Sequence, residues 1–135
     1  MRLRILKLLL WLVCVTHLLM GIAGVSSPTL AVRAAHGFYG ATVEPTPVTV
    51  HLIRIIGAYM IAIGILGGVA ARDPERNRPV IIAVAVLLAI RVLQRLLHAD
   101  EIHTTFAVSQ ARIWGQAIYF AAIAGALLYL MPKRK

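Results

Sequence analysis

Arg91, Gln94, Arg95 and His98, in the stretch "IRVLQRLLHADEIH", offer the most concentrated polar chemistry in the chain. On an α-helix they fall at i, i+3, i+4 and i+7 and so form one stripe. Guanidinium, amide and imidazole groups in a row make a donor set for an oxyanion or a carbonyl-rich ring. Arg112, Gln116 and Tyr119 repeat the i, i+4, i+7 spacing near the start of the last apolar run. His51 and Arg54 share a helical face with Ala58 and Ala62, and His17 shares one with Gly21 and Gly24.

Other chemistry finds less support. In "HADEIH", His98 and His103 are five residues apart and point to different faces, whereas His98 with Glu101, or Asp100 with His103, would share one. These are the candidate metal ligands, His98, Glu101 and His103, but no HExxH pattern is present, and a solvated helix end accounts for the same residues. Bis-histidine haem ligation by His17, His51 or His98 is geometrically conceivable, and nothing in the spacing selects it. No cofactor is required by the sequence; quinone and haem are the two it could accommodate. Ser109 and Cys14 lack an evident base, and Cys14 lies inside an apolar run, where a thiol is inert. A single cysteine excludes an intrachain disulfide and a multi-cysteine metal site.

The elements that carry these residues are apolar. Hydrophobic residues make up 60% of the 135 and charged residues 14%, with a mean hydropathy of +0.83. Soluble domains run at about 45–50% apolar, so the solvent for much of this surface is lipid. The fold expected is all-α: one integral membrane domain over residues 1–135, a four-helix antiparallel bundle. Its helices fall at about 5–25, 50–71, 79–99 and 109–131, with outer loops at 26–49 and 100–108 and a cytoplasmic loop at 72–78. Prolines in "SSPT", "EPTP", "RDPERNRP" and "MPKRK" mark the breaks. The third span is unusual: it is uncharged only from Pro79 to Ile90, and reaches spanning length only if Arg91, Gln94 and Arg95 enter the membrane with it.

Charge orients the chain. Arg2, Arg4 and Lys7 precede the first span, Arg72, Arg76 and Arg78 lie between the second and third, and Lys133, Arg134 and Lys135 follow the fourth. Nine of the fourteen basic residues thus gather on one side, which the positive-inside rule makes cytoplasmic. Both termini then share that side, the span number is even, and the formal +9 reflects topology rather than a nucleic-acid partner. A cleaved signal peptide competes for the N-terminus, since "MRLRILK" is a basic n-region and "AVRAA" offers small residues. The apolar run is longer than an h-region of about 7–15 residues, which favours a retained helix. The location expected is a bacterial inner membrane.

With a rise of about 1.5 Å per residue, Arg91 stands roughly 18 Å above Pro79, and His17 stands equally high above Ile5. Arg54 and Arg112 enter the same outer layer from the opposite direction. An arginine facing lipid at mid-membrane costs at least about 2.5–3.5 kcal/mol, so these side chains are expected inside, with partners. The acids on that side are Glu44, Asp100 and Glu101, fewer than the four arginines. That surplus points to an anionic ligand, a lipid head group or a quinone. Two other readings use the same residues: arginines near helix ends can snorkel to the interface, and the acids can absorb the rest in structural ion pairs.

Gly64 and Gly68 form GxxxG, and Ala117, Ala121 and Gly125 repeat the small-xxx-small spacing, a signature of helix packing within the chain or between copies. "RDPERNR" is a cytoplasmic turn whose arginines can hold anionic lipid heads. Over residues 55–103, "AARDPERNRPVI", the arginine near the far end of the next helix and the acidic "HADEI" resemble the DoxX-like and BphX-like small bacterial membrane proteins. That resemblance implies four helices and a redox or accessory role. The chain departs from the pattern where an acid is expected in the third helix: Ala89, Ile90 and Arg91 stand there.

The function expected is that of a small inner-membrane protein, non-catalytic, with an outer-half pocket for an anionic lipid, quinone or similar amphiphile. Its lining would be Arg54, Arg91, Arg95, Arg112, His51, His98, Gln94 and Gln116. The alternative is an accessory or assembly subunit of a larger, quinone-linked membrane complex, or a homo-oligomer.

Overall fold

Four apolar runs of the sequence form helices long enough to cross a membrane, and two shorter helices stand between them. The computed structural model describes residues 1–132, and these contain no strand. In chain order the helices are α1 (Arg2–Ser26), α2 (Pro28–Tyr39), α3 (Pro47–Arg72), α4 (Arg78–Leu97), α5 (Ala99–Phe106) and α6 (Gln110–Leu130). α1, α3, α4 and α6 are the four apolar ones. The basic cluster Lys133, Arg134 and Lys135 lies outside the described residues.

The caps follow the sequence closely. Ser27 and Thr46 accept from Leu30 N and Thr49 N, and Pro28 and Pro47 occupy the first helical turn, where a missing N–H costs nothing. Ser109 caps α6 through Arg112 N. The turn between α3 and α4 is closed by Asp73, which accepts from Arg76 N through its side chain and from the Asn77 side-chain amide through its carbonyl.

Glycine decides the closest pairing, between α1 and α3. A methyl on Gly21 would lie 2.7 Å from the Gly57 carbonyl oxygen, and one on Gly64 would lie 2.7 Å from Leu18. The order of contacts, Gly24 and Gly21 with Gly57, Leu18 with Gly64, Cys14 with Gly68, makes the two helices antiparallel. Gly64 and Gly68 thus use their GxxxG spacing within the chain. α4 and α6 form the second extensive pair, and the two pairs touch each other over shorter stretches.

Where the pairs meet, they form the core. Leu6, Leu10 and Val13 of α1 pack with Ala70 and Ala71 of α3, Ile81, Val84, Ala85 and Leu88 of α4, and Phe120, Ile123, Ala124 and Leu127 of α6. All of these lie toward the end where the Arg2 guanidinium reaches the Tyr129 hydroxyl at 3.4 Å. Among the described residues this core cluster does not extend to the other end, where α2 packs on α1 and α3, and α5 on α4 and α6. Large apolar side chains such as Leu8, Leu19, Tyr59, Ile118 and Tyr129 face outward, which suits a hydrocarbon surrounding and would be costly in water.

Two segments expected as loops, 26–49 and 100–108, therefore hold helices. α2 carries a complete set of signals: Ser27 as N-cap, Pro28 after it, and Gly40 as C-cap with φ +69 and its N–H on His36 O. The third span also ends earlier than expected. α4 stops at Leu97, and the chain bends at His98 (φ −115, ψ 27) before resuming as α5. That bend takes His98 off the Arg91 stripe.

Candidate functional site

The gap between the helix pairs holds a cavity of about 660 Å³. α3 contributes Ile56, Tyr59, Met60 and Ile63 to its wall; α4 contributes Val84, Leu87, Leu88, Ile90, Arg91, Gln94 and Arg95. His17 of α1 and Tyr39 of α2 reach it from behind, while Ala41, Val43, Ile102, Phe106 and Val108 roof it. A smaller recess of about 160 Å³ adjoins it between α1, α2 and α6, and His17, Tyr39, Met60, Leu88 and Arg91 border both spaces.

Arg91 is the hub. Its Nη2 donates to the Tyr39 hydroxyl at 2.9 Å, and its Nη1 stands 3.4 Å from His17 Nε2. His17 Nδ1 is 2.8 Å from the Val13 carbonyl, which can only accept. The proton is therefore assigned to Nδ1, and Nε2 presents its lone pair to Arg91. Among the described residues His17 is the one polar or charged residue that is buried, and this tautomer gives both of its ring nitrogens a partner.

Arg95 stands one turn beyond Arg91 and shares its aromatic neighbours. The Arg91 guanidinium carbon lies 4.9 Å from the Phe120 ring centre and 5.9 Å from that of Tyr39. For Arg95 the corresponding distances are 5.7 and 5.2 Å. Each such contact at a partly buried position contributes about 0.5–2 kcal/mol, and together they fix both cations over the same two rings. No carboxylate among the described residues joins them. Among the described residues the one ion pair is His98 Nδ1 with Glu101 Oε2 at 3.1 Å, at the surface. Arg95 Nε is buried without a hydrogen-bond partner, an orphaned donor on a charged group.

The residues expected at the site separate into three groups. Arg91, Gln94 and Arg95 line the cavity together, as their spacing on α4 requires. Arg112 and Gln116 instead hold the end of α2: the Arg112 side chain lies over Gly40, and Gln116 Nε2 donates to Phe38 O at 3.1 Å. His51, Arg54 and His98 are exposed and outside the cavity lining. Helical phase explains the first two, because α3 turns its glycine face inward and Ala58 and Ala62, which share the His51–Arg54 face, are themselves exposed.

The candidate metal ligands diverge as well. His98 and Glu101 meet each other, whereas His103 Nδ1–H donates to Val108 O at 2.7 Å. Among the described residues no group of three metal-capable side chains is assembled.

Tyr39 and Phe120 carry no sequence signal that selects them. Tyr39 falls within the segment expected as an outer loop, and Phe120 is one aromatic among the apolar residues of α6. His17 is recognisable by its depth, since it stands level with Arg91.

No curated protein and no solved structure matches this chain. Residues 5–99 match the family described as "Domain of unknown function (DUF4345)", a stretch that runs from Ile5 in α1 through the end of α4 and holds His17, Tyr39, Arg91 and Arg95. This covers well over half of the sequence, and the chain belongs to that family.

Proposed function

We propose that this protein binds an amphiphile with an anionic or carbonyl-rich head, a lipid or a quinone, through Arg91 and Arg95. In this reading it is a multi-pass protein of a bacterial inner membrane, a four-helix antiparallel bundle with both termini cytoplasmic and the cavity in the outer half. The basic residues Arg2, Arg4, Lys7, Arg72, Arg76 and Arg78 support that orientation.

The observation that carries the proposal is the pair of guanidiniums on one wall of a mostly apolar cavity, without a carboxylate neighbour among the described residues. Two cations held side by side repel each other and lose hydration, and an anionic head relieves both costs. A purely structural network would place an acid against them; of the acids on this side, Asp100 accepts from Gln110 and Glu101 from His98, and the Glu44 carboxylate forms no ion pair among the described residues. The cavity lies within the range of about 300–1,000 Å³ typical of small-molecule sites.

Native mass spectrometry of the protein, gently extracted from its membrane, tests this. A retained lipid or quinone is expected, released in Arg91→Leu and Arg95→Leu but kept in Arg91→Lys. Recovery of a ligand-free protein, or a ligand unaffected by both leucine variants, would sink the reading.

A further inference from the structure

The larger cavity has two unlike sides, one pinned by hydrogen bonds and one lined by outward-facing apolar side chains. Its roof is apolar and pinned. Thr42 N donates to Phe106 O at 2.8 Å, joining the 40–46 segment to the end of α5. The His103–Val108 bond ties the start of the next segment to the same helix; of the roof residues Val108 is buried, Ala41, Val43 and Ile102 are half-buried and Phe106 is partly exposed. The side between α3 and α4 is different. There Ile56, Tyr59, Leu87 and Ile90 line the cavity and also face outward, at 56, 68, 41 and 56% exposure. α3 and α4 touch over only a short stretch, and Gln94, one turn beyond Ile90, is the polar residue at that edge.

Resting on the ligand reading above, we infer that the arginine pair is an oxyanion receptor loaded sideways from the bilayer through a mouth between α3 and α4. The ligand class is an amphiphile with a carboxylate or phosphate-monoester head and an extended apolar tail. Its head reaches Arg91 and Arg95, matching the planar donor fork of each guanidinium. Its tail stays between α3 and α4, among side chains that already face hydrocarbon. A water-borne anion meets a roof of valine, isoleucine and phenylalanine, which gives it no polar foothold and makes it shed hydration before it reaches a cation. An amphiphile travelling in the membrane plane meets no such barrier, because its tail remains in an apolar medium throughout.

The test uses the full chain in phosphatidylcholine nanodiscs with two probes, palmitate and lysophosphatidate, each carrying a diazirine midway along its tail. Photolabelling is expected on Ile56, Tyr59, Leu87 or Ile90, undiminished by excess inorganic phosphate. Ile56→Trp with Ile90→Trp should narrow the mouth and slow labelling roughly tenfold, in the range over which association rates vary within one site. If palmitate alone labels, the head is a carboxylate; if lysophosphatidate alone labels, it is a phosphate; both results support the lateral route. Tail labels confined to the 40–46 segment or to the recess by α1 and α6 overturn that route, as does displacement by inorganic phosphate. Labelling at the mouth that persists in Arg91→Leu/Arg95→Leu overturns the arginine receptor instead. Monodisperse, helical Arg91→Lys/Arg95→Lys protein that still labels guards against mistaking misfolding for lost binding.

Discussion

His17 Nε2 on α1 and Arg91 Nη1 on α4 lie 3.4 Å apart, and theirs is the one non-exposed side-chain hydrogen bond among the described residues that joins the α1–α3 pair to the α4–α6 pair. It sits just beyond the shared core, where apolar packing between the pairs gives out. His17→Phe keeps the ring volume but removes the acceptor. Hydrogen bonds of this kind within membranes are worth about 0.6 kcal/mol on average and up to about 1.7, so a loss near 1 kcal/mol in reversible unfolding is expected. His17→Gln, which retains an acceptor, should fall between the two. Equal stability of His17→Phe and the unaltered protein would show that the contact is incidental.

The α1–α3 pairing gives a sharper contrast. At Gly21 and Gly57 an added methyl meets the opposing backbone, at 2.7 and 2.9 Å, and backbone cannot move aside as a side chain can. Gly21→Ala and Gly57→Ala should each cost about 1–3 kcal/mol, the range for overpacking. Gly115 and Gly125 on α6 have open space where a methyl would go, so alanine there should be neutral or stabilise by up to about 1 kcal/mol. Thermal unfolding of the four single variants in one detergent measures both. Similar losses at Gly57 and Gly125 would mean that α6 packs against something further.

How much of this was legible in the sequence depends on the scale of the signal. Three of the four long helices are written as long apolar runs, which leave few alternatives; the third span, uncharged only from Pro79 to Ile90, follows from the charge placement that requires an even number of crossings. α2 and α5 are short and of mixed polarity, so their caps were the only cue, and "SSPT" marks the start of a helix as readily as the end of one. At the site, the i, i+4 spacing of Arg91 and Arg95 was readable because one helix fixes it. Whether His51 and Arg54 joined them depended on the rotation of α3, which Gly57, Gly64 and Gly68 set by packing against α1. A periodicity names a face without saying what that face meets. Tyr39 and Phe120 were out of reach because their role arises only once α2 and α6 are docked against α4.

Topology can be read at two positions. Ser27 joins α1 to α2 and Asn77 lies between α3 and α4, while the native Cys14 is buried and should stay silent. An impermeant maleimide applied to intact cells should label Ser27→Cys, and should label Asn77→Cys only after permeabilisation. The reverse pattern would put the cavity in the cytoplasmic half.

The roof contains two left-handed residues with opposite demands. Gly40 has φ +69, and the Arg112 side chain occupies the space where a Cβ would stand; Ala107 adopts φ 52 despite carrying one. A non-glycine residue in this region costs about 1–2 kcal/mol. Gly40→Ala should therefore lose at least that much and displace Arg112, whereas Ala107→Gly should gain stability, unlike most alanine-to-glycine changes. Hydrogen exchange of Thr42 N, which donates to Phe106 O, gives a local measure: faster in Gly40→Ala, slower in Ala107→Gly. If Ala107→Gly exchanges faster, unfolded-state entropy outweighs the relief of strain.

Tyr39 separates the two ways in which an aromatic residue can serve a cation. Its hydroxyl accepts from Arg91 at 2.9 Å, and its ring lies 5.2 Å from the Arg95 guanidinium carbon. Tyr39→Phe removes the first and keeps the second. In the ligand reading the hydroxyl occupies one prong of Arg91 that an oxyanion would otherwise take, and a net hydrogen bond is worth about 1 kcal/mol. Removing it should tighten palmitate binding about fivefold. Tyr39→Leu removes both interactions and loosens the guanidiniums it held, at about 0.5–2 kcal/mol for each ring contact, so binding should weaken. Titration of palmitate into the two variants, followed by native mass spectrometry, orders them. If Tyr39→Phe weakens binding as much as Tyr39→Leu, the hydroxyl belongs to the cradle that grips the head group, and Arg91 holds its ligand and Tyr39 at once.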